Sequence, residues 1–158
     1  MLSTEDFLSV VRLAPLVAID LILTAPNGAV LVGRRRNRPA RDSWFVPGGR
    51  IRKGESLDEA FRRIVTEELG DHAGIVAGIS GQRADATLIG VYEHFYDDNF
   101  AGAEGIGTHY VVFGYRVMAG EAVLPRQQAQ HSGYRWMQPA ELLADDAVHD
   151  NTKAYISV

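Results

Sequence analysis

Cysteine is absent from the 158 residues, so no disulfide, thiolate metal site or cysteine nucleophile is available. That suits a reducing compartment, and a cytoplasmic location is expected. No apolar run approaches the roughly 20 residues that a membrane-spanning helix needs, so no membrane partner is expected. The opening stretch MLSTEDFLSVVRL has no basic segment ahead of an apolar one, which is not the form of a secretory signal. Basic excess is missing too: the formal net charge is −4, which argues against general nucleic-acid binding. Internal repeats and low-complexity linkers are also lacking. What remains is the make-up of a globular chain, 46% hydrophobic and 23% charged, with a single domain expected over residues 1–158.

Hydrophobic patterning gives a mixed set of elements. Ser3 and Asp6 resemble a capping box, predicting a short helix to about Leu13, and Pro15 stops it. LVAIDLILTA reads as a strand with one acid, Asp20, inside an apolar run. PNG at 26–28 is a hairpin signal, and AVLVGRR returns from it. A loop containing a short strand near Trp44–Val46 follows. The strongest helix runs from Leu57 to Leu69, with Ser56 as N-cap, Glu59 completing a capping box and Gly70 ending it. Further strands are expected over 74–80 and in LIGVYEHFYD, THYVVFGYRVMA and GYRWMQ; Pro139 opens a helix to Ala144, and a last turn covers Asn151–Ile156. Hairpins among alternating helices and strands favour an α/β fold with a mixed sheet over a doubly wound parallel one.

Two segments carry charge that needs explaining. GRRRNRPAR at 33–41 is either a solvated loop or a site for an anionic ligand. Glu67 and Glu68 lie at the C-terminal, negative end of the strong helix, where acids are poorly placed unless compensated. A bound cation would compensate them, and oxygen-only ligands suit Mg²⁺ or Mn²⁺. The plainer alternative is that Glu67 pairs with Arg63 one turn away and Glu68 is solvated.

Gly49, Glu55, Arg63, Glu67, Glu68 and Gly70 stand at the spacing of the signature of the Nudix hydrolases, which the chain resembles. Two positions depart from that signature: Ile64 replaces a Glu and Asp71 replaces an aliphatic residue. The resemblance implies a Nudix α/β/α sandwich with a mixed parallel/antiparallel sheet and divalent-metal hydrolysis of a nucleoside diphosphate derivative. The acid missing at Ile64 is one that many members use to hold metal or activate water. TEDFLSVVR, RNRPA, WFVPGGR, HFYDDNF, THYVV, QHSGYRW and VHDNTKAY extend the likeness from residue 4 to 155, toward the GDP-mannose mannosyl hydrolase branch. That branch also lacks this Glu, and it is understood to attack the anomeric carbon of the sugar, releasing GDP and the inverted sugar.

The resemblance assigns expected roles residue by residue. Glu68, the Gly49 carbonyl and Gln130 would hold Mg²⁺ (Mn²⁺ is possible), with Glu67 as a metal or outer contact. Arg35 and Arg50 would share charge on the diphosphate, and Tyr110 would contact a phosphate. His131 would be the general base; Asp20 and His94 would contact the sugar and leaving group. Read without the resemblance, His131 is a surface histidine in a polar loop, Asp20 a strand acid satisfied by an arginine, His94 a cross-strand neighbour of aromatics and Tyr110 a core tyrosine. A GDP-sugar substrate and a homodimer are expected. The alternatives are a diphosphatase that yields GMP and sugar 1-phosphate, and a nucleotide-binding module without turnover.

Overall fold

From Ala18 to Leu23 every side chain of strand β1 (Leu16–Thr24) is buried. A run buried on both faces is what a central strand requires. Strand β6 (Thr108–Met118) lies parallel to it, from Leu16 opposite Tyr110 to Thr24 opposite Met118. Strand β5 (Thr87–Tyr96) is antiparallel to β6 and forms the sheet's edge. On the other side, β2 (Val30–Arg35) returns from the turn at Gly28, whose φ of 85° suits glycine. The structure is a computed structural model that describes residues 1–70, 79, 81–120 and 131–156.

β1 and β2 are paired only at Thr24 and Val30. Past that point each takes other partners. β4 (Gly48–Arg50) pairs with β1, setting Asp20 opposite Gly48 and Ile19 opposite Gly49. β2 pairs with β3 (Trp44–Phe45) and with β7 (His131–Met137). The sheet is therefore mixed and splits beside Asp20, and the side chains of β4 and its neighbours line that split.

Alternation along β1 sends side chains to two cores. Ile19, Leu21 and Leu23 pack with Phe61, Ile64, Val65 and Leu69 of helix α2 (Leu57–Leu69). Ile22 packs on the opposite face with Val32, Met137, Leu142 and Tyr155, the last two from α3 (Pro139–Ala144) and α4 (Asp150–Ile156). Each such large apolar side chain contributes about 1.5–3 kcal/mol of burial free energy. The result is the expected α/β/α arrangement. The α2 capping box is complete: Ser56 Oγ accepts from Glu59 N at 3.2 Å, and Glu59 Oε2 accepts from Ser56 N at 2.7 Å. Helix α1 (Thr4–Leu13) starts at Ser3, whose Oγ accepts from Asp6 N at 3.1 Å.

One placement differs from the sequence reading. His131 was expected in a polar loop; it opens β7 opposite Arg35, and only 2% of it is exposed. β7 begins two residues before the strand expected from Gly133, because His131 pairs with Arg35 of β2. Of the strand expected over 74–80, only Ile79 is among the described residues, where it is buried in the α2 core; the rest of that strand, and Gln130, lie outside them.

Candidate active site

Where β1 and β2 part, a cavity of about 290 Å³ opens between α2 and the sheet edge. Asp20, Arg35, Gly49, Arg50, Glu67, Glu68, His94 and Tyr110 all line it, brought together from six elements. His131 does not line it.

The α2 wall carries one unpaired acid. Glu68 is 3% exposed, and its Oε2 has no hydrogen-bond partner. His131 Nδ1 stands 3.5 Å from this oxygen without forming a hydrogen bond to it. Burial, with the neighbouring Glu67 and Asp20 carboxylates, pushes Glu68 up to about 7, and the Arg35 guanidinium opposes this. One turn earlier, Ile64 is fully buried and reaches under Gly49, where a Cβ would meet its Cγ1 at 3.0 Å. An apolar surface thus stands where the Nudix signature has an acid. Glu67 is turned outward and ion-paired to Arg63 at 2.9 Å and Arg52 at 3.3 Å. Its carboxylate therefore compensates arginines, as the plainer reading of the sequence had it, whereas Glu68, solvated in that reading, is buried. Arg63 also binds both oxygens of Glu55, at 2.5 and 2.9 Å, and donates to the Arg50 carbonyl at 2.8 Å. These bonds hold Glu55 down to about 2. They fasten the 51–56 loop and β4 to α2, so two signature residues here act as a clamp.

The opposite wall is built on Asp20, 7% exposed on β1. Tyr155 donates a 2.5 Å hydrogen bond to its Oδ2. Burial raises Asp20 to about 7 against the lowering effects of Tyr155 and Arg35. At neutral pH it is therefore shared between acid and carboxylate forms. His94, on β5, lies within 3.3 Å of the same Tyr155 hydroxyl and is lowered to about 4 by burial and by His149. Tyr110 is raised by burial, partly offset by Arg35 and Arg50.

The cationic side of the cavity is Arg35 and Arg50. Arg35 Nε donates to the Pro39 carbonyl at 2.9 Å, and the residue forms no ion pair among the described residues. Arg50 packs over Phe7 of α1, 4.4 Å from its ring centroid. Both guanidiniums keep donors for an anion.

His131 sits behind this wall. Tyr134 Oη is 3.3 Å from its Nδ1 and donates to the Glu68 carbonyl at 3.4 Å. Burial, Arg35 and Arg36 lower it to about 4. It is neutral at neutral pH and reaches the cavity through Glu68.

The residues suit a divalent cation of modest demand. Among the described residues no three His, Asp or Glu side chains converge on one point. The buried, partnerless Glu68 Oε2 is nevertheless the kind of orphan atom that a cation satisfies. Mg²⁺ typically keeps several waters and takes one or two carboxylates plus substrate phosphate oxygens. One free carboxylate beside two arginines meets that requirement. Glu68 and the Gly49 carbonyl would be the described ligands.

The NUDIX domain profile matches residues 14–157. The chain belongs to the Nudix family. It is also 35% identical over 139 residues to the low-salt glycan biosynthesis protein of Haloferax volcanii, covering 85% of this chain and 78% of that one. A relative from Methanocaldococcus jannaschii, named ADP-ribose pyrophosphatase, is 38% identical over a shorter 58 residues, 37% of this chain and 34% of that one. Among solved structures, the MutT NUDIX hydrolase from Burkholderia pseudomallei superposes with a TM-score of 0.65 at 23% identity, covering 90% of this chain and 96% of that one. The NUDIX domain of Shewanella oneidensis NrtR, complexed with ADP ribose, gives 0.65 at 19% identity over 99% of this chain and 96% of that one. These structural likenesses share the Nudix fold. Nudix hydrolases as a family act on nucleotide derivatives with divalent metals such as Mg²⁺.

The sequence reading missed several residues of the site. Gly48 is one: a Cβ there would lie 2.2 Å from Asp20 Oδ1. Its place beside the signature glycine was a usable signal. Phe7, Tyr96 and Tyr155 are others. Tyr155 closes the VHDNTKAY segment, yet nothing local shows that it reaches Asp20 across 135 positions.

Proposed function

We propose that this Nudix hydrolase cleaves a GDP-sugar such as GDP-mannose to GDP and the free sugar, by attack of water at the anomeric carbon with inversion. The observation that carries this reading is Ile64, fully buried where the signature has an acid, beside Glu68, whose buried Oε2 has no hydrogen-bond partner. With that acid gone, the helix supplies metal binding but no second carboxylate to activate water at phosphorus. The rest of the cavity suits departure of a diphosphate. Arg35 and Arg50 bind and orient it, and they share the charge that develops as the glycosidic bond breaks. Tyr110 donates to a phosphate oxygen. Asp20, able to hold a proton near neutral pH, and His94 face the sugar and bridging oxygen. His131, which does not line the cavity, is proposed as the base by way of Glu68, 3.5 Å from its Nδ1; it is neutral, the form a base requires. When bound at Glu68 and Gly49, Mg²⁺ supplies charge stabilisation to the leaving diphosphate. Gln130 is proposed as a further ligand.

The Haloferax relative is named for glycan biosynthesis, and sugar nucleotides are the donors that glycan assembly consumes. The second reading, a diphosphatase yielding GMP and sugar 1-phosphate, draws support from the pyrophosphatase name of the Methanocaldococcus relative. Incubating the protein with GDP-mannose and Mg²⁺ and separating the nucleotides decides between them. GDP supports cleavage on the sugar side of the diphosphate; GMP overturns it. Full occupancy without turnover would instead indicate a binding module. A homodimer is proposed as the working form, to be checked by light scattering.

A further inference from the structure

We propose that Tyr155 is a positioning residue of this site, its hydroxyl bridging Asp20 and His94 so that one carboxylate rotamer and one histidine tautomer face the cavity. The proposal deepens the reading above and depends on it only for its kinetic consequence.

The geometry starts from proton counting. A tyrosine hydroxyl has one proton to donate. Tyr155 gives it to Asp20 Oδ2, at 2.5 Å. The second contact, Tyr155 Oη to His94 Nε2 at 3.3 Å, must then be supplied by the histidine. His94 therefore carries its proton on Nε2, and Nδ1 is the acceptor. A directed chain results, from His94 to Tyr155 to Asp20.

The bridge is held rigidly. Tyr155 is 1% exposed, and the edge of Tyr92 meets its ring at a centroid distance of 4.7 Å. A side chain at Gly114 would meet both rings, at 3.0 Å for Tyr92 and 3.1 Å for Tyr155. On the far side of Asp20, Gly48 leaves room for Oδ1 that no other residue would leave. Asp20 is thus bonded at Oδ2 and closely walled at Oδ1. Helix α4 makes two further bonds to the same wall: Val46 N donates to Thr152 Oγ1 at 3.2 Å, and Asn151 Nδ2 donates to Tyr96 Oη at 3.2 Å. The short C-terminal helix therefore supports Asp20, His94 and Tyr96 together. None of its residues lines the cavity.

The test uses the full chain with ¹⁵N-labelled histidine. Imidazole nitrogen shifts are expected to show His94 as the Nε2–H tautomer in the unmodified protein. Tyr155→Phe should populate the Nδ1–H form, because the acceptor oxygen is gone. Asp20→Ala should also do so, because the freed hydroxyl turns to donate to Nε2; this variant keeps the test open if Tyr155→Phe fails to fold. With GDP-mannose, Tyr155→Phe should lower kcat about 10-fold and change KM less than about 3-fold, the pattern of a group that matters in the transition state. Adding Tyr155→Phe to Asp20→Ala should cost little more than Asp20→Ala alone. An Nδ1–H tautomer in the unmodified protein, an unchanged His94 spectrum in both variants, or additive kinetic losses would overturn the proposal. If the unmodified protein does not hydrolyse GDP-mannose, the functional reading fails while the His94 spectra still decide the role of Tyr155.

Discussion

Placing an acid back at position 64 probes both the packing and the chemistry of this helix. Ile64 is fully buried, packed in the α2 core with Leu21, Phe61 and Val65 and against Gly49. Ile64→Glu loses an aliphatic side chain from that core and places a carboxyl one turn from Glu68, whose own carboxyl is already pushed up to about 7 by burial. Lost packing and an unsatisfied polar group together give about 3–5 kcal/mol of destabilisation. For a domain of this size each kcal/mol moves Tm by about 2–4 °C, so a fall of roughly 6–20 °C is expected in metal-free buffer. Mg²⁺ should recover more of that loss in the variant than it adds to the unmodified protein, because two carboxylates then face one cavity. Thermal denaturation followed by circular dichroism, with and without Mg²⁺, measures both. A metal-free midpoint within about 2 °C of the unmodified protein would refute the reasoning, since it would mean that position 64 tolerates an acid without cost.

Other consequences are open to direct measurement. His131→Asn should lower turnover about 10²–10⁴-fold with little change in metal affinity; an unchanged pH–rate profile would move the base elsewhere, with His94 the next candidate on the wall. Glu68→Gln should weaken Mg²⁺ binding, read by calorimetry, and leave the fold intact, because it exchanges an acid for an amide of the same shape. Asp20 keeps its proton to about pH 7 when folded but loses it near 3.8 when unfolded. Over that window the folded state binds more protons, so its ionisable carboxyl costs stability as pH rises. Asp20→Asn should therefore gain stability relative to the unmodified protein between those pH values, by up to about 4 kcal/mol in urea denaturation. Arg63→Ala should release Glu55, held down at about 2, so that it titrates in the ordinary carboxylate range, observable by carboxyl NMR.

Local signals carried most of the fold. Ser56, Glu59 and Gly70 mark the ends of α2 because capping is a matter of residues three apart. The PNG turn and the apolar run of β1 are equally short-range. The split between β1 and β2 was not legible, because it depends on β4 and β7 arriving from distant parts of the chain. The same distinction runs through the site. Glu68, Arg35 and Arg50 stand in segments whose charge is conspicuous in the sequence. Glu67 stands beside Glu68, but one helical step turns it toward Arg52 and Arg63. Burial of His131 depends on β7 lying against β2, and the Tyr155–Asp20 bond joins opposite ends of the chain. Neither has a local signature.

Heavy-oxygen water shows which bond breaks. GDP as a product does not by itself distinguish attack at carbon from attack at the sugar-bearing phosphorus. Turnover of GDP-mannose in H₂¹⁸O, with ³¹P NMR of the released nucleotide, does. Attack at the anomeric carbon gives unlabelled GDP, with the heavy oxygen on the sugar. An isotope-shifted β-phosphate in GDP, or GMP as the nucleotide released, would contradict it.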